Sequence, residues 1–506
     1  MFRTTGIKLD PSNGEPLYRQ IVDQVIERVR SGAFPPGFRL PPTRTLAREL
    51  DAHRNTVVRA FEELQSAGFL VSVVGRGTFV TEEPAADVPA PPPTRAGLPW
   101  GSLLSRATRA EPLGRADAWA RPAPLRDTVD LSRMQPAADL LPHEALRRSI
   151  DHVLRSKGAA ALAYAPREGL PRLRELIVED LARLGVPARA DDVLITTGSQ
   201  QALDLIARAL IDPGDCFLVD DATYSGAINL LAAAGARVAG VRSDGEGPDL
   251  GSLEQHARGG AKGFYLMPNC GNPTGACVSA RRREELVAWS HRAGVPLVED
   301  DYGADLNLDG DAPPAALRAL SSDVLYVATF SKKLIPALRV GFLVCPESLR
   351  KDLLPLKHTM DLGTSALLQH ALCEFLERGY LRAHLRKSVP EYRARRDALA
   401  EALRQSLPDD VEWTPPARGL VLWLTLPEWM DPVSVYEEAR RHGVLVTPGV
   451  LYSASGRDRH ALRLAFCGEK PERLAEGARR LGRALREMRP PRRGEQRAAA
   501  RPMPLV

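Results

Sequence analysis

Lys332 stands in the run Thr329-Phe330-Ser331-Lys332-Lys333, directly behind the apolar stretch VLYVATF, with Arg339 a short way downstream. A lysine at a strand end is by itself ordinary surface chemistry. It becomes an amine able to form a Schiff base when polar and acidic groups from other loops converge on it. Four further runs offer such groups. Thr197-Gly198-Ser199-Gln200-Gln201 follows the apolar run DVLIT and opens a helix. Alone it is a capped helix start, yet its backbone N–H groups and the Ser199 hydroxyl suit a phosphate at the positive helix terminus. Tyr224 lies in DDATYSG, Asn272 opens Asn-Pro-Thr-Gly, and Asp300 and Tyr302 close the stretch VPLVEDDY.

These residues match what a phosphorylated pyridine aldehyde requires. A carboxylate must face the ring nitrogen to keep it protonated and make the ring an electron sink, and Asp300 is the candidate. Asn272 and Tyr302 can hydrogen-bond the ring hydroxyl, Tyr224 can stack on the ring, and Lys332 supplies the amine for the Schiff base. Ser199, Gln200, Thr329, Ser331 and Arg339 are the candidates for the phosphate.

The elements that must position these loops are legible from periodicity. The buried runs DVLITTG, CFLVDD, KGFYLMP, VPLVEDD and VLYVATF alternate with helical stretches such as Gln200 to Leu210 and Arg281 to Ala293, which predicts an α/β fold with a mostly parallel sheet covered on both faces. The carboxyl ends of such strands open on one ligand crevice. A smaller C-terminal α+β subdomain is expected from about Tyr380, with late strands LVLWLTL and ALRLAF.

The N-terminal stretch follows a different plan. Leu17, Ile21, Val25 and Val29 recur at helical spacing before Gly32, a second helix is expected from about Thr43 to Leu50, and a third from near Asn55 to Ala67 before Gly68. Phe69 to Val74, a Gly-Arg-Gly turn and Thr78 to Val80 then read as a hairpin, which completes a winged helix-turn-helix. The first turn of the third helix shows Arg54, Asn55 and Thr56, with Arg59 further along: side chains suited to base edges and phosphates in a major groove. Arg44 and Arg48 on the second helix and Arg76 at the wing tip are candidate backbone contacts. The same residues would also serve as the solvated face of a protein-docking module.

The run from LYRQIVDQV to GRGTFV resembles the DNA-binding domain of GntR-type bacterial regulators, with its PPG turn, RNTV opening the recognition helix and GxGTFV for the wing. Ala52-His53 stands where Val-Ser is common, which removes the expected N-cap of the recognition helix. From about Asp130 to Met488 the order GSQQ, Tyr, NPTG, DDY, SKxLxPxLRxG, LRLAF resembles fold-type I pyridoxal-phosphate enzymes of the aspartate aminotransferase superfamily. The combination is similar to the MocR/GabR family of regulators. That resemblance implies pyridoxal 5'-phosphate on Lys332, Arg463 as the clamp for an effector carboxylate, Tyr164 reaching the cofactor phosphate of a partner subunit, and a domain-swapped homodimer on double-stranded operator DNA. Ser225 and Gly226 after Tyr224 leave no second carboxylate-binding arginine there, which argues against assuming a GABA-like effector.

The expected organisation is a DNA-binding domain over 1–82, a Pro/Ala/Arg-rich linker over 83–124, the aminotransferase-like domain over 125–488 and a disordered tail over 489–506. The net charge of +5 permits nucleic-acid contact without demonstrating it. The six cysteines lack CxxC or Cys/His ligand spacing, so neither a metal nor a disulfide framework is expected. No apolar run is long enough to span a membrane, and the reading is of a cytoplasmic protein. Function is then expected to be effector-sensing transcription regulation, with an amino compound or the cofactor itself as the signal. The alternative is an active aminotransferase with a secondary DNA-binding head.

Overall fold

The computed structural model describes residues 5–11, 13–73, 76–81, 98–118, 127–455 and 460–488. Half of the linker expected over 83–124 and the whole tail at 489–506 lie outside these residues. The chain forms two compact units, Met1–Trp100 and Gly101–Val506. The stretch before residue 119 belongs in part to the larger unit, where the helix Glu111–Ala118 packs beside the helix Ser225–Ala233.

In the smaller unit, α1 (Leu17–Arg30), α2 (Thr43–Glu49) and α3 (Arg54–Ser66) precede the antiparallel strands β1 (Leu70–Val73) and β2 (Gly77–Val80). Ile21 and Val25 of α1, Leu46 of α2, and Val57, Phe61 and Leu64 of α3 are buried together, so the apolar stripes of the three helices close one core. The recognition helix is capped after all. The His53 ring accepts the Asn55 N–H through Nδ1 at 3.2 Å, doing with an imidazole what a Ser hydroxyl usually does. Only the neutral ring has that lone pair, so His53→Ala is expected to cost about 1 kcal/mol of the head's stability. A fall in the urea midpoint of the head's unfolding transition checks this.

The larger unit is built on a seven-stranded sheet. Its strands are β3 (Val193–Thr196), β4 (Cys216–Asp220), β5 (Arg237–Val241), β6 (Ala261–Leu266), β7 (Leu297–Asp300), β8 (Leu325–Thr329) and β9 (Gly341–Val344), in the order β3-β9-β8-β7-β6-β4-β5. All pairs are parallel except those made by β9, which runs antiparallel to β8 and β3. Apolar layers cover both faces, and β3, β8 and β9 are buried along their whole length, which is why they read as unbroken apolar runs. A second, four-stranded sheet carries Val421–Thr425 and Ala461–Ala465, backed by the helices Tyr380–Ser406 and Pro471–Glu487. The last of these buries Leu474, Ala478, Leu481 and Leu485 on one stripe. The short strand Val129–Asp130 joins this C-terminal subdomain by pairing with Val444–Leu445. No helix of the described residues is long and apolar enough to cross a membrane.

Candidate functional site

The strand ends of the large sheet open on a cavity of about 290 Å³ lined by Ser132, Met134, Ser199, Tyr224, Met267, Asn272, Asp300, Tyr302, Thr329, Lys332, Tyr452 and Arg463. Eight of the twelve residues assigned above to the cofactor and to an effector carboxylate thus share one space: Ser199, Tyr224, Asn272, Asp300, Tyr302, Thr329, Lys332 and Arg463. Lys332 rides the single helical turn Phe330–Lys333 behind β8, and its Nζ donates to the Met134 carbonyl at 2.7 Å.

Of the three consecutive acids at the end of β7, only Asp300 lines the cavity. Glu299 accepts the Leu317 and Arg318 N–H groups, and Asp301 accepts Asn269 Nδ2 at 2.7 Å and the Tyr326 hydroxyl at 2.9 Å. Asp300 Oδ2 accepts the Tyr265 hydroxyl at 2.8 Å, while the buried Oδ1 has no partner among the described residues. Burial pushes the Asp300 carboxyl up to about 7 against the lowering effect of the Tyr265 hydrogen bond. An orphaned carboxylate oxygen in a dry wall is costly unless a donor or a cation meets it. The Tyr302 hydroxyl is likewise buried without a partner among the described residues, and Asn272 Oδ1 accepts Arg463 Nη1 at 3.3 Å. A pyridine ring with a protonated nitrogen and a hydroxyl two ring positions away answers these atoms, so the residues fit pyridoxal phosphate.

The phosphate candidates gather where the helix Ser199–Leu210 begins. Gly198 has a left-handed φ of 84°, and a side chain built there would lie 2.8 Å from Arg339 Nη2. Only glycine lets the guanidinium come that close to the helix start. Arg339 donates to the Thr197 carbonyl at 3.1 Å and to Ser331 Oγ at 3.5 Å, and Thr329 Oγ1 accepts the Ser331 N–H at 3.1 Å. Gln200 is placed differently: its amide accepts the Tyr224 hydroxyl at 3.3 Å and donates to the Gly226 carbonyl at 3.2 Å, so its side chain holds the aromatic ring instead of facing the cavity. Tyr164 is 84% exposed and lies outside the cavity.

Several members of the site carry no motif. Tyr265 sits inside the apolar strand β6, where a phenol among aliphatic residues was the one available signal. Gln201 Oε1 accepts the Thr197 N–H at 2.7 Å, and its Nε2 donates to Asp361, which pairs with the fully buried Lys357 at 3.0 Å. That chain anchors the loop preceding the helix and links residues 160 apart in sequence.

In the smaller unit Arg44, Arg48, Arg54, Asn55 and Arg76 are exposed and Thr56 is half-buried. Arg59 is exposed too, but its guanidinium stacks 3.9 Å from the centroid of Tyr18 on α1, which ties α1 to α3.

The comparisons with known proteins agree with this two-part build. The bacterial regulatory protein gntR family profile matches residues 17–80, and that of aminotransferase class I and II matches residues 126–481. The probable rhizopine catabolism regulatory protein MocR of Rhizobium meliloti is 30% identical over 483 residues, covering 94% of this chain and 95% of the relative. The chain belongs to the MocR/GabR family. The HTH-type transcriptional regulator YisV of Bacillus subtilis is also 30% identical, over 454 residues, covering 89% of this chain and 92% of the relative. Among solved structures, LysN, an α-aminoadipate aminotransferase of Thermus thermophilus complexed with N-(5'-phosphopyridoxyl)-L-leucine, matches with a TM-score of 0.70 at 32% identity, covering 77% of this chain and 98% of that one. A MocR/GabR member is a DNA-binding transcription regulator with an aminotransferase-like domain of the pyridoxal-phosphate-dependent fold, and this chain has both parts.

Proposed function

We propose that this MocR/GabR protein binds operator DNA through α3 and its wing and changes that binding when an amino compound enters the cavity of its aminotransferase-like domain. The observation that carries the reading is the convergence of Lys332, Asp300, Asn272 and Arg463 on one cavity in a chain that also carries a DNA-reading head. Pyridoxal 5'-phosphate supplies there an electrophilic carbon and an electron-withdrawing ring. Lys332 is the amine that holds it covalently. Asp300 keeps a proton on the ring nitrogen, Asn272 and Tyr302 orient the ring hydroxyl, and Tyr224, held by Gln200, stacks on its face. Ser199, Thr329, Ser331 and Arg339 hold the phosphate beside the helix start, whose dipole favours an anion. Arg463 clamps a carboxylate on the effector.

The working unit is a homodimer in the cytoplasm. The exposed Leu162 and Tyr164 support homodimerisation: two large side chains, 66% and 84% exposed, stand two residues apart at a surface suited to meeting a second copy, with Tyr164 reaching the partner's phosphate site. The intact Asp300 and Asn272 favour a second capability, a slow amino-transfer half-reaction. Steady turnover with a keto acid would instead make the protein an enzyme first.

The test is spectroscopic and on DNA together. Amines are titrated against the cofactor absorbance, and those that shift it are added to an operator-binding assay. The reading expects operator affinity to change with occupancy of the cavity and fails if every absorbance-shifting amine leaves it unchanged. Arg54→Ala should cost about 1–3 kcal/mol on the operator and much less on random DNA. Equal losses on both would make Arg54 a phosphate contact.

A further inference from the structure

Arg463 is already engaged by the protein's own backbone. Its Nη2 donates to the Ser132 carbonyl and to Thr447 Oγ1 at 3.3 Å, its Nη1 to Asn272, and its buried Nε has no partner among the described residues. The residue two positions on, Met134, gives its carbonyl to Lys332. The two side chains expected to meet an amino acid therefore both hold one short segment, Ser132–Met134, and both Ser132 and Met134 line the cavity. Met134 also packs against two cores, that of the C-terminal subdomain and that of one face of the large sheet.

Resting on the amino-compound reading above, we propose that Ser132–Met134 is an effector-reading strap, in which a carboxylate replaces the Ser132 carbonyl on Arg463 and Met134 sets the size of side chain admitted. A carboxylate gripped by two N–H groups of a guanidinium is a stronger acceptor than a neutral amide oxygen. On the edge formed by Nε and Nη2 it uses the orphaned Nε–H and competes for Nη2 with the Ser132 carbonyl and Thr447 Oγ1. The strap's other ties run largely to its own flank: the Ser132 N–H and hydroxyl both donate to Asp130 Oδ1, and Arg133 Nε pairs with Asp130 at 2.9 Å, while from outside Thr447 Oγ1 donates to the Ser132 carbonyl at 3.4 Å and Cys467 Sγ reaches the Gln135 carbonyl at 3.3 Å. Displacement therefore passes directly to the strand Val129–Asp130, whose Leu131 flank is bonded to Leu445 and Ala465. The Met134 thioether, flexible and shared between two cores, bounds the space that remains for the ligand's side chain.

The experiment uses full-length, cofactor-loaded protein and hydrogen exchange of the peptide spanning 129–136. Arg463→Ala should exchange about tenfold faster than wild type, with Arg463→Lys in between, because one tether of the strap is gone. L-leucine at a concentration that saturates the absorbance change should speed exchange in wild type, while leucinol, the same amine without the carboxylate, should not. Met134→Ala should shift the ratio of half-saturating concentrations for L-phenylalanine and L-alanine about tenfold towards the larger ligand, and Met134→Leu, similar in volume, should restore the wild-type ratio. The cofactor absorbance of each variant reports that the site is intact. Unchanged exchange in Arg463→Ala, equal responses to leucine and leucinol, or an unmoved ratio in Met134→Ala would each overturn the proposal. If no amine perturbs the wild-type cofactor, it is the amino-compound reading that falls, and the arginine variants still decide the tether.

Discussion

Lys332→Ala removes all cofactor that borohydride can trap, while the protein keeps its fold. The side chain is half-buried on a single helical turn at the cavity wall and donates to the Met134 backbone carbonyl, so truncation takes nothing out of the buried apolar cores. Lys333 is the obvious rival one residue away. Its ammonium is buried between Asp305 at 2.6 Å and Asp180 at 3.3 Å, and although burial pulls its pKa down, the two carboxylates outweigh it and hold the group at about 12. An amine so held is protonated at neutral pH and is no nucleophile. Mass spectrometry of the reduced protein settles the point: wild type carries the adduct on the peptide with Lys332, and the variant carries none. An adduct that persists on Lys333 in the variant would move the covalent site.

Asp300→Asn separates stability from cofactor binding, with opposite signs. In the cofactor-free protein burial raises the Asp300 carboxyl from 3.8 to about 7. A group whose folded pKa is raised favours folding in its protonated form. That contribution is fully present below about pH 4 and is lost as pH rises towards 7, by at most roughly 4 kcal/mol at 1.36 kcal/mol per unit. The neutral amide does not titrate, so Asp300→Asn should become progressively more stable than wild type between pH 4 and 7, with the gap level above that. Glu299, which burial also pushes up to about 7, titrates in both proteins and cancels in the comparison. With the cofactor bound the order reverses: the ionised carboxylate meets a ring cation that the amide cannot match, and affinity should fall by about a hundredfold, in the range expected when one partner of a buried charge pair is removed. Thermal melts across this pH range with and without cofactor check both halves. Parallel pH profiles for variant and wild type in the cofactor-free protein would show that Asp300 is not the strained group.

What could be read from the sequence follows from which groups have a residue signature. Asp300 was chosen for the chemistry of a carboxylate facing a ring nitrogen at the end of VPLVEDDY, and it is the partners of Glu299 and Asp301 that leave it as the acid lining the cavity. The strand-end loops were readable because each pairs an apolar run with a change of residue type at its carboxyl end. The recognition helix was readable as well, but its cap was not, because a histidine accepting through Nδ1 has no pattern distinguishing it from a surface ring. Gln200 was assigned to the phosphate by its neighbours in the motif, while its side chain instead locks Tyr224 through a contact 24 residues away. The Gln201–Asp361–Lys357 chain, the Tyr265 bond to Asp300 and the Ser132–Met134 strap depend on long-range packing. In the strap the active groups are backbone carbonyls, which every residue possesses.

The most direct test of the account is a DNase footprint over the DNA flanking this protein's own gene, run with cofactor-loaded wild type and with Lys332→Ala. A regulator whose head is governed by its cofactor site should protect spaced repeats, and the protected pattern or the concentration needed for it should change in the variant. Identical footprints would separate the cofactor site from DNA binding, and no protection at moderate salt would contradict the regulator reading itself.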